Sequence, residues 1–123
     1  MEISNRFCII SPELIRDALL MGQTAAPGAS TRIHSACGPV IFDQTPNESD
    51  SGTVWNQTFR AVTDDPAGFQ HNGSRRYPAF YMSDGSLRVI GTHDCAPLIN
   101  VTPANGGRYL VQASFQAPEP LSL

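Results

Sequence analysis

The apolar positions of this chain fall into short runs, most with a two-residue period, separated by polar stretches longer than simple turns. Residues 3–10 (ISNRFCII) are the first such run and predict a strand. Ser11, Pro12 and Glu13 then form a helix start, with a capping hydroxyl, proline at the first helical position and an acid in the first turn. Leu14, Ile15, Ala18 and Leu19 recur at helical spacing and Gly22 supplies a terminal cap, which predicts one short N-terminal helix. A short strand is expected around residues 31–34 and another at 39–42 (PVIF). Residues 44–52 (QTPNESDSG) and 64–76 (DDPAGFQHNGSRR) read as loops by composition.

Between these loops, residues 53–63 alternate. Trp55, Gln57, Phe59 and Ala61 fall on one side; Val54, Asn56, Thr58, Arg60 and Val62 fall on the other. Residues 77–82 and 87–92 flank Ser83-Asp84-Gly85-Ser86, a hairpin signal in which Asp-Gly favours a tight turn. Pro78 cannot donate to a ladder, so it is expected near a strand start or on an edge. A second hairpin is expected from residues 98–102 to 108–115 through Asn105-Gly106-Gly107, with Tyr109, Val111, Ala113 and Phe115 on one face. The alternating Pro and Leu of residues 117–123 predict an extended C-terminal tail. With no repeat and no linker, residues 1–123 read as a single domain. The predicted class is mainly β (α+β by strict count): an antiparallel β-sandwich or barrel of six to seven strands with one short N-terminal helix.

Composition narrows the function classes. The chain has 41% apolar and 15% charged residues and a formal charge of −3, with no lysine among its eight basic residues. The absence of lysine excludes a Schiff-base lysine and a phosphate-loop lysine. Scattered arginines on an acidic chain argue against nucleic-acid binding, which needs a basic stripe. No stretch reaches the roughly 20 apolar residues of a membrane span. Residues 1–6 lack the basic start and apolar run of a signal peptide, and three cysteines (Cys8, Cys37, Cys95) do not make a disulfide framework. A reduced, cytoplasmic setting is the expectation, and the Asn-x-Ser/Thr sequons at Asn47, Asn56, Asn72 and Asn100 carry no weight there.

Two constellations contain reactive groups. His93-Asp94-Cys95 holds a base, an acid and a nucleophile, but on a strand Asp94 points away from His93 and cannot orient it. His34, Cys37, His93 and Cys95 together form the donor set of a tetrahedral zinc site, at spacings unlike any common zinc module. Asp43, Glu48 and Asp50 are hard oxygen donors without the order of a calcium loop. The sequence therefore designates no catalytic, cofactor-binding or metal residue, and expects no cofactor.

The short helix, the hairpin of residues 77–92, the long polar loops and the Ala/Pro-rich end together resemble the small structural proteins of tailed bacteriophages and prophages. No specific motif carries the resemblance, so no functional residue is transferred. It implies a non-enzymatic capsid-, connector- or tail-associated component, a homo-oligomer whose partners are copies of itself or other assembly proteins, in a virion or host cytoplasm. The low charge agrees, because uncharged surface is more readily covered by a neighbour. The alternatives are a zinc protein or enzyme using His34, Cys37, His93 and Cys95, and a ligand- or peptide-binding β-module.

Overall fold

Alternation along the strands places two apolar faces against each other and builds a sandwich. The computed structural model describes residues 2–12, 33–38, 40–65, 71–92 and 95–121. Among the described residues eight strands follow one another: β1 Ile3–Ile10, β2 Ile33–Ser35, β3 Ile41–Ser49, β4 Gly52–Thr63, β5 Tyr77–Met82, β6 Leu87–Val89, β7 Asn100–Ala104 and β8 Arg108–Ala117. They form two four-stranded antiparallel sheets, one ordered β2-β1-β5-β6 and the other β3-β4-β8-β7. We refer to these as the first and second sheets. The arrangement is a β-sandwich, with one strand more than the upper expected number. The predicted N-terminal helix lies outside the described residues from Glu13 onward.

Phe7 and Ile9 of β1 and Phe80 and Met82 of β5 face Phe42, Phe59, Ala61, Val111 and Ala113 of the second sheet in one core. Phe7, Phe59 and Phe80 are fully buried, and each stabilises the fold by about 1.5–3 kcal/mol. The first sheet is apolar on its other face as well. There Cys8, Ile10, Tyr77, Ala79, Tyr81, Leu87 and Val89 form a second buried cluster. Burial on both faces explains the unbroken apolar sequence of β5. Tyr77, Phe80 and Tyr81 are therefore core residues.

One local expectation is corrected. Residues 44–52 are not a loop: β3 runs through Ser49, and the chain turns at Asp50-Ser51 directly into β4. Although β5 is an interior strand, Pro78 is its second residue, near a strand start as expected. Its carbonyl accepts from Ile90 N, so the side lacking an N–H faces β6 just past the last ladder pair, Ala79 with Val89. The hairpin turns follow expectation, with positive φ at Gly85, Gly106 and Gly107.

Candidate functional site

Three polar side chains remote in sequence meet inside the sandwich. In the short β2, Ile33 and Ser35 point outward and His34 points in. Backbone pairing sets His34 opposite Phe7, and their rings stack at 5.2 Å. Asp65 follows the end of β4, where the Thr63 hydroxyl donates to Ser35 O at 2.9 Å and accepts from Asp65 N at 3.2 Å. That one hydroxyl holds both the β2 strand and the carboxylate in place. Asp65 Oδ2 lies 3.0 Å from His34 Nδ1. An ionised carboxylate only accepts, so Nδ1 is the donor in this contact.

His71 completes the cluster, its ring edge-on to that of His34 at 6.0 Å between centroids. Its segment is tied down by Gly73 N to Ile99 O, Ile99 N to Ser74 O, and Val101 N to Asn72 Oδ1. His34 is 1% and His71 9% exposed. His34 Nε2 and His71 Nδ1 are buried and have no hydrogen-bond partner among the described residues. Burial, helped by the nearby charge of Arg76 and by His34, pushes His71 down to about 4, so the ring is neutral at pH 7.

Chemically, a carboxylate on the Nδ1 of an imidazole is the contact that holds an oriented base or a metal-binding histidine. Neither is completed here. No hydroxyl or thiol meets His34 Nε2, and no three His, Cys, Asp or Glu side chains gather to hold a metal ion among the described residues. The zinc set named from sequence is not assembled by its described members, since His34 is buried while Cys37 and Cys95 are exposed. His93 and Asp94 lie outside the described residues. Asp43, Glu48 and Asp50 are likewise exposed and form no metal cluster. Sequence reading missed Asp65 and His71 because both lie in a polar run that looks like an ordinary loop. Nothing in their spacing connects them to His34.

A second feature is exposed. The ladder between β4 and β8 ends at Trp55 opposite Ala117. The ladder between β3 and β4 continues beyond it through Asn47 with Val54, Glu48 with Thr53 and Ser49 with Gly52. This distal part is a two-stranded ribbon, and residues 45–53 are exposed throughout. Residues 41–53 include Asp43, Glu48 and Asp50 and no basic residue. At the ribbon's base the Gln44 amide brackets the C-terminal segment. Its Nε2 donates to Leu121 O at 2.8 Å, and its Oε1 accepts from Leu121 N at 2.9 Å. Buried Gln57 donates to the same Oε1 at 3.4 Å, and Leu121 packs on the main core. The tail up to Leu121 thus lies on its own sandwich and does not reach away from it.

No known protein-family model, no curated protein and no solved structure gives a significant match to the chain. Among the described residues, no helix is long and apolar enough to cross a membrane.

Proposed function

We propose that this chain is a non-enzymatic assembly subunit, one of several copies in a larger particle. Its general likeness to bacteriophage structural proteins suggests a capsid, connector or tail. The observation that carries this reading is the acidic ribbon at the end of β3 and β4. A two-stranded ribbon with no third strand is marginal in water. Ordering its backbone costs about 1–2 kcal/mol per residue, with little apolar burial to offset it. A neighbour that covers the ribbon supplies the missing contacts. Its polar faces suit the wet, hydrogen-bonded contacts common between subunits. The charged and proline residues Asp43, Pro46 and Glu48 on edge strand β3 discourage indiscriminate strand pairing, which keeps such docking specific. The enclosed cluster of His34, Asp65 and His71 then serves as a fastening between β2, the end of β4 and the segment after residue 70.

Native mass spectrometry of the full chain, beside a Glu48→Lys/Asp50→Lys variant, tests this. The expected result is a defined oligomer for the natural chain and dissociation of the variant at unchanged thermal stability. A natural chain that stays monomeric at every accessible concentration, with the variant indistinguishable, overturns the homo-oligomer. A monomer that retains one zinc ion would favour the metalloprotein instead.

A further inference from the structure

The outward face of the second sheet is polar along most of its length, with Asp43 and Thr45 on β3, Asn56 and Thr58 on β4, and Ser114 and Gln116 on β8. Near the start of β3 this changes. Ile41 lies opposite Arg60, and Val62 opposite Leu110. Cross-strand partners share a face, so four side chains from three adjacent strands stand together. With Cys37 at the rim they line an open depression of about 390 Å³, a size found among small-molecule sites. Ile41 is 51% exposed. A single exposed isoleucine calls for no explanation. An apolar trio around a guanidinium does. Arg60 has no ion-pair or hydrogen-bond partner among the described residues.

The geometry points to a binding site for an amphiphilic monocarboxylate, a medium-chain or aryl carboxylic acid. Its carboxylate pairs with Arg60, and its apolar part covers Ile41, Val62 and Leu110. A guanidinium presents two parallel N–H donors that match a carboxylate in a two-point contact. Among the described residues no second basic side chain lines the depression, which disfavours phosphates and other polyanions. Asp43, two residues along the same face of β3, repels a second negative charge and acts in the same direction. Apolar side chains beside the guanidinium lower the polarity on one side of the pair and strengthen it. The site is independent of the acidic ribbon, so each idea can fail alone.

The two exposed cysteines provide the test. Cys37 borders the depression and Cys95 does not, so labelling by neutral N-ethylmaleimide, read by peptide mass spectrometry, carries its own control. Octanoate is expected to slow labelling of Cys37 in a saturable way and leave Cys95 unchanged. Octan-1-ol, with the same chain and no charge, should need about tenfold higher concentration, because a charge-assisted hydrogen bond is worth at least that factor. Arg60→Gln should abolish the difference between acid and alcohol, and Leu110→Ser should weaken both. Equal protection of the two cysteines, no protection, or equal potency of alcohol and acid on the natural chain would each overturn the proposal. Protection of Cys37 that grows with protein concentration and needs no octanoate would assign the depression to contact between copies, and would overturn it as well.

Discussion

His34 Nδ1 and Asp65 Oδ2 lie 3.0 Å apart although 31 residues separate them, and this pair joins the edge of the first sheet to the end of a strand in the second. His34 is almost wholly enclosed, with only 1% of its side chain exposed. Removing its carboxylate partner leaves a buried N–H without an acceptor. Asp65→Ala is therefore expected to destabilise the fold by about 1–3 kcal/mol in urea unfolding. Asp65→Asn, which retains an acceptor, should cost less. Unchanged stability in Asp65→Ala would mean that the pair does not hold the sheets together.

Acid should act through His71. Its folded value of about 4 lies below the ordinary 6.5, so the unfolded chain binds the extra proton between those limits and the folded chain does not. The contribution is complete above pH 6.5, is lost as pH falls through 6.5 toward 4, and falls no further below that. The loss is on the order of 2–3 kcal/mol. Urea midpoints for the natural chain and His71→Asn across this window should converge toward low pH. A proton NMR titration placing His71 near 6.5 would show a solvated ring and refute the mechanism.

The three thiols should separate cleanly by reactivity. Burial pushes Cys8 up to about 12 and also shields it, whereas Cys37 and Cys95 are exposed. A thiol reagent at neutral pH is expected to modify Cys37 and Cys95 in the folded protein, and Cys8 only after denaturation. Rapid modification of Cys8 under native conditions would contradict its place between β2 and β5.

Gly91 is expected to tolerate no side chain. Its φ is +131°, and a Cβ there would lie 2.5 Å from a ring carbon of Tyr77. That ring cannot step aside, because it is 3% exposed and its hydroxyl donates to Thr92 O at 2.6 Å. Gly91→Ala should lower stability by about 2–3 kcal/mol through overpacking and backbone strain. At Gly85, φ is +89° and nothing lies within 4 Å, so alanine there should cost only about 1–2 kcal/mol of strain. Equal thermal shifts for the two variants would mean that Tyr77 does not press on Gly91.

The alternation of residues 53–63 and 108–115, and the glycines at Gly85 and Gly106-Gly107, determined by themselves the long central strands, their inward faces and both hairpin turns. Those features depend on neighbours in sequence: side chains alternate across a strand, and a tight turn needs residues free to adopt positive φ. The partners were decided elsewhere. Residues 44–52 look like a loop because from Thr45 onward both of their faces meet solvent, which removes the apolar alternation; only the ladder to β4 makes residues 44–49 a strand. Pro78 fits an interior strand only because β6 stops opposite Ala79. Leu121 settles on Gln44, and His34 meets Asp65 and His71, through contacts between distant segments that no local pattern encodes. Packing two sheets face to face brings those segments together, and a buried imidazole then takes whatever acceptor the opposite sheet supplies.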